Sequence, residues 1–217
     1  MQLAESTSWK MSTDEPEPML IALYVRDAAR LHPQIDPDIP WLEPAVPFGA
    51  EPLADEAVYL TQWAAWWHQL LQGGGFWPEG KDPSNLRDLR NDPELQRLFY
   101  WPRPDLAAAV PSDAPELHAL VRRHLEAAQI WSQARKYEFV ALSVTRQRVS
   151  LEWEVVRSVE AGLGRKARPF AFDLRVLPLA AKQAWRLSPG RALVSRTLYR
   201  DREAYVDWLR PIVEELA

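Results

Sequence analysis

The sequence predicts an α+β fold: a mainly helical bundle around a tryptophan-rich central helix, with a small C-terminal antiparallel sheet and a docked terminal helix. Two patterns carry this expectation. Apolar residues recur at helical spacing through much of residues 18–163, and Phe170, Phe172, Leu174 and Val176 alternate with Ala171, Asp173 and Arg175, the period of a half-buried strand. The bulk composition agrees, since 217 residues with 47% hydrophobic and 26% charged side chains suffice for one sizeable core. The expected organisation is a mobile tail over 1–17 and a single globular domain over 18–217, helical through 163 and sheet plus terminal helix from 164.

The tail is polar and acidic, with Asp14, Glu15 and Glu17 beside Pro16 and Pro18. From Met19 to Leu31 the apolar residues Leu20, Leu23, Tyr24, Ala28 and Leu31 fall at helical spacing; MLIALYV alone fits a strand equally, and helix is the expectation. His32 to Pro52 holds six prolines, a density that removes backbone donors and fixes φ too often for a helix or a central strand. Because Trp41, Leu42, Val46 and Phe48 stand between those prolines, the segment reads as an extended arm laid across the core.

The segment Leu53 to Trp77 contains Trp63, Trp66, Trp67 and Trp77, and leaves only Thr61, Gln62, Ala65, His68, Gln69 and Gln72 on a narrow polar stripe. A helix apolar over the rest of its circumference is expected at the centre of the bundle, ended by Gly73, Gly74 and Gly75. Asp-Pro pairs open two short helices over Pro83 to Arg90 and Asp92 to Tyr100, and a turn follows at Leu106 to Val110. Ser112 or Asp113 is the expected cap of a long helix whose stripe is Leu117, Leu120, Val121, Leu125, Ala128 and Trp131, with Arg122, Arg123, Glu126 and Gln129 outward. Tyr137 to Val144 fits either its continuation or a strand.

A further helix spans Leu151 to Leu163 and stops at Gly162 or Gly164. Phe170, Phe172, Leu174 and Val176 form one face of a strand. Ser188-Pro189-Gly190-Arg191 matches a type II turn joining Ala184–Leu187 to Ala192–Tyr199. Asp201 caps a last helix whose face of Tyr205, Trp208, Leu209, Ile212, Val213 and Leu216 should lie on the sheet.

With no cysteine the chain can form no disulfide, thiolate metal site or cysteine nucleophile, and it suits a reducing cytoplasm. No apolar run reaches membrane-spanning length and no secretory leader is present, so no membrane association is expected. The spacing Gly75-x4-Gly80-Lys81 imitates a phosphate loop. A helix precedes it, Pro78 lacks a donor and Asp82 replaces the magnesium-binding hydroxyl, so the Gly75–Asp82 stretch reads as a connecting loop. His118 and His124 do not share a helix face, and His68 is the one candidate general base; no cofactor and no metal is expected.

Charge is uneven, about −9 over residues 1–110 and about +5 over 111–217 against a formal net of −4. The basic excess centres on Arg165, Lys166 and Arg168 in one loop and on Arg175, Arg186, Arg191 and Arg196 of the expected sheet. These residues and Trp41 are the candidate interaction surface. The expected function is a non-catalytic cytoplasmic role through protein–protein interaction. The alternatives are a nucleic-acid-binding module using the arginine-rich segment 146–200, where guanidinium forks would meet phosphate, and a hydrolase whose carboxylates sit in a tryptophan-lined cleft.

Overall fold

The structure is a computed structural model that describes residues 9–49, 53–72, 110–146 and 150–217. Its described elements are β1 (Lys10–Asp14), α1 (Glu17–Ala28), α2 (Glu56–Gln72), α3 (Pro115–Arg146), α4 (Leu151–Leu163), β2 (Ala171–Leu177), β3 (Ala184–Ser188), β4 (Arg191–Ser195), α5 (Arg196–Arg200) and α6 (Arg202–Leu216). The expected short helices between Pro83 and Tyr100 and the glycines that should end α2 lie outside the described residues.

Helix α1 is enclosed on every side. All twelve of its residues are buried, including Arg26 and Asp27. A helix with the sequence EPMLIALYVRDA is apolar around most of its circumference, so it requires cover everywhere. It packs against both α3 and α2, and the indole of Trp63 donates to the Ala22 carbonyl at 2.8 Å. The tryptophan helix is therefore one wall of this core and not its axis. Trp63, Trp66 and Trp67 are at most 1% exposed and two of them stack at 5.4 Å, while Thr61, Ala65, His68, Gln69 and Gln72 face solvent. From the same stripe Gln62 turns to α3, accepting from the Leu117 amide at 2.8 Å and donating to Glu116. It caps a helix start that Ser112 or Asp113 was expected to cap.

The arm behaves as expected. Helix α1 closes in a Schellman motif, Leu31 N–H to the Arg26 carbonyl and Arg30 N–H to the Asp27 carbonyl, with Arg30 in the left-handed region at φ 53°. The chain then returns across the helix end. Arg26 donates to Asp27 at 2.6 Å and to the carbonyls of Ile39 and Pro40 at 2.7 and 2.8 Å, while the Leu42 amide donates to the other Asp27 oxygen at 2.7 Å. Leu42 bridges to Leu179 beyond β2, and Gly49 N–H reaches back to the Ala28 carbonyl. Two charged side chains thus supply hydrogen bonds that a proline-rich strand cannot obtain from a ladder.

The expected antiparallel hairpin forms between β3 and β4, but the sheet around it is not antiparallel throughout. Its order is β1-β2-β4-β3, with β1 and β4 both parallel to β2 and only β3 antiparallel to β4. Strand β1 arises from the stretch expected to be a mobile tail: KMSTD carries no hydrophobic alternation, yet Met11 and Thr13 turn inward and Trp9 stacks on Phe170 at 6.2 Å. Edge strands need only pairing on one side, so polar composition does not exclude them. The hairpin turn also departs from type II, because Gly190 does not take a positive φ. Glycine is used there for close approach, since a Cβ would stand 3.1 Å from the Ala171 carbonyl oxygen.

Sheet residues divide between two cores. Leu177, Trp185 and Leu193 join the core of α1, α2 and the first half of α3, whereas Phe172, Leu174, Val176, Ala192 and Val194 join α4, α5 and α6. The terminal helix lies on the sheet as expected, with Tyr205, Leu209, Ile212 and Val213 buried. Helix α3 continues through Tyr137 to Arg146, resolving that stretch as helix, and it contributes Leu117 and Val121 to the first core and Phe139 to the second. Gln129, expected outward, is buried. Asp201 and Ser150 cap α6 and α4, and Gly164 ends α4 at φ 65°.

Replacing Arg26 by alanine leaves Asp27 and two arm carbonyls buried without their donor. We expect Arg26→Ala to cost about 3–5 kcal/mol of unfolding free energy in denaturant titration, and Arg26→Lys to recover little because an ammonium cannot reproduce the three-way fork.

Candidate interaction surface

Each basic residue of the expected surface has an internal partner. Arg175 points from β2 into the first core and donates to the Leu70 carbonyl at 2.5 Å, and Arg191 donates to the Leu71 carbonyl at 3.1 Å. Both sit within 3.3 Å of Asp173. Both guanidinium groups thus reach backbone carbonyls in the last described turn of α2, whose oxygens carry partial negative charge. Desolvation lowers the Arg175 pKa from its ordinary value, the neighbouring Arg191 adding to this and Asp173 opposing it.

Arg165 and Arg168 serve the far end of the chain in the same way. Their side chains donate to the main-chain oxygen of Ala217 at 2.9 and 3.1 Å, closing the loop after α4 onto the end of α6. Lys166 pairs with Glu160 at 2.9 Å, and Arg186 with Glu215 at 3.1 Å while also reaching the Ser188 and Pro189 carbonyls. The structure therefore brings Arg175 and Arg191 together, and Arg165 with Arg168, but does not gather the seven into one face. The sequence displayed the charges and concealed their partners, because carbonyl oxygens are present at every residue and leave no signature.

Arg196 occupies a different setting. It follows β4 directly, is 5% exposed, and pairs with Glu15 and with Glu138 at 2.8 Å while donating to the Arg135 carbonyl. Glu15, from the stretch expected to be a tail, is fully buried beyond β1. Its second oxygen has no hydrogen-bond partner among the described residues, and Arg196 is shared with Glu138. Burial consequently outweighs the attraction of Arg196 and Lys136, and the Glu15 carboxyl is pushed up to about 7, with Asp14 adding repulsion.

The sign of the resulting pH dependence follows from linkage. Between the ordinary value of 4.5 and about 7 the folded chain holds the Glu15 proton more tightly than the unfolded chain. Stability from this group is complete below 4.5 and is lost as pH rises through 7. Glu15→Gln, which keeps an acceptor for Arg196 and removes the titration, should gain stability over the parent on the order of 1–3 kcal/mol between acid and mildly alkaline pH. Thermal melts of both proteins across that range check it; parallel curves would contradict the assignment.

The remaining candidates are placed as follows. Trp41 is 40% exposed on the arm, with the Arg26 guanidinium 5.1 Å from its ring centre and His32 edge-on at 4.7 Å. Phe48 is exposed beneath Arg30, 3.7 Å away. His68 is exposed and bonded to Gln72 at 2.7 Å, with no carboxylate partner among the described residues. The Gly75–Asp82 loop lies outside the described residues.

Sequence reasoning missed a surface of open apolar side chains among the described residues. On the outer face of α3, Ile130 is 60% exposed, Tyr137 68% and Val140 56%. Ala127, Ile130, Ala134 and Tyr137, all exposed, follow a three-four-three spacing, which is the seam of a helix that packs against another helix. The signal was available in the sequence, but the neighbouring stripe of Leu117, Leu120, Val121 and Ala128 is the stronger one and accounts for the helix alone. Comparison of the chain with known protein families, characterised proteins and solved structures finds no match.

Proposed function

We propose that the protein acts by binding another protein through the outer face of α3, in keeping with a non-catalytic, cytoplasmic role. The observation that carries this reading is the seam of Ala127, Ile130, Ala134 and Tyr137 with Val140 beside it, open to solvent on a helix whose opposite face is already buried. Two small alanines alternating with two large side chains let a partner backbone approach and give its knobs a place to sit, so the matching surface is one face of an amphipathic helix. The arm is the weaker half of the expected surface, because Arg26 and Arg30 stand over its two exposed aromatics. The internal partners of the arginines and lysine favour the protein reading over the nucleic-acid alternative. No described helix is long and apolar enough to cross a membrane.

A photoreactive amino acid placed at Tyr137 in cells should give a discrete protein adduct, which Ile130→Glu in the same chain abolishes. As both positions are exposed, Ile130→Glu should change unfolding free energy by no more than about 0.5 kcal/mol. The adduct mass distinguishes a second copy of the chain from a different protein. Absence of any adduct, or a large stability loss showing that Ile130 is needed within its own fold, overturns the proposal.

A further inference from the structure

A cleft of about 720 Å³ opens where the arm leaves α1, separate from the α3 seam. Its walls are Arg26 and residues 31–36 and 38–41, and its volume lies in the range of ~300–1,000 Å³ typical of small-ligand sites. Along this extended stretch the side chains alternate. Leu31 and Ile39 are buried and Ile35 is half-buried, while His32, Gln34, Asp36 and Asp38 are exposed. Asp36 and Asp38 flank Pro37, which follows a cis peptide bond, and both line the cleft.

Charge in this cleft is one-sided. Among the described residues Arg26 is the only Lys or Arg of the lining, and its guanidinium is consumed by Asp27 and the carbonyls of Ile39 and Pro40. Asp36 and Asp38 form no hydrogen bond or ion pair with any described residue. Trp41 closes one end with two fifths of its surface open, and its ring already accepts a guanidinium, that of Arg26, at 5.1 Å. An indole beside two unpaired carboxylates over an apolar floor is complementary to a positive charge carried on an apolar body.

We infer that the cleft between Trp41 and the Asp36–Asp38 edge binds an organic cation, an ammonium or guanidinium on an apolar stem. Such a group comes either from a lysine or arginine side chain of a peptide or from a free alkyl- or arylammonium compound. The carboxylates attract and orient the charge, and the indole with Leu31, Ile35 and Ile39 receives the stem.

The test uses the whole isotope-labelled chain and the indole N–H resonance of Trp41, identified by its loss in Trp41→Phe. Phenethylammonium should shift that resonance saturably at millimolar concentration, and 3-phenylpropionate, of similar shape and opposite charge, should not. The double variant Asp36→Asn with Asp38→Asn should weaken phenethylammonium binding by about fivefold, with an unchanged melting temperature because both side chains are exposed. A lysine- or arginine-centred tripeptide amide binding more tightly than phenethylammonium points to a peptide source, and the reverse order to a small compound. Equal shifts from the ammonium and the carboxylate, no saturable shift from any cation, or undiminished binding by the double variant would overturn the inference.

Discussion

The Arg26–Asp27 pair is the constraint on which the arrangement of the first core depends. A fully buried helix, apolar from Pro18 to Val25, ends in two charges, and each is satisfied by the chain that follows it. Burying these charges is tolerable because every strong donor meets an acceptor; the same pair without the arm would leave an ion pair facing an apolar gap. The arm is in turn unable to hold itself, since its prolines remove the donors of a ladder. Helix end and arm therefore form one unit, and the bridge from Leu42 to Leu179 ties that unit to the sheet.

Basic side chains elsewhere follow the same economy. Arg175 and Arg191 bind carbonyls in the last described turn of α2, Arg165 and Arg168 hold the end of α6, and Arg196 joins Glu15 to Glu138. The charge asymmetry between the two halves of the chain has a structural counterpart here. Arg196 meets Glu15 of the first half and Arg175 and Arg191 meet the carbonyls of α2, while Lys166 and Arg186 pair within the second half. An arginine-rich stretch on a strand can thus be the means of joining helices to a sheet, its forks reaching oxygens that a shorter side chain would miss.

What the sequence made legible was whatever depends on neighbours along the chain. Periodicity located α1, α2, the long α3, α4 and the terminal helix, Asp201 and Gly164 marked ends through local backbone chemistry, and the arm followed from prolines interleaved with Trp41 and Leu42. What escaped depends on partners distant in sequence. Strand β1 exists because Ala171–Arg175 is available to pair with it, and Gln62 caps α3 from 55 residues away. Burial of Glu15 and the parallel sense of β2 and β4 likewise have no local signal. Trp41 was legible as a surface aromatic; the cleft beside it was not, since its shape comes from the return of the arm over α1.

Helix α3 spans roughly 48 Å at a rise of about 1.5 Å per residue and belongs to both cores, with Leu117 and Val121 anchored on one side of the sheet and Phe139 on the other. It works as a shared girder, so neither core can melt while α3 stays whole without dragging on the other. Loosening at one end of the molecule would be felt at the far end through a single rigid rod, and the two packed regions should come apart in one cooperative step.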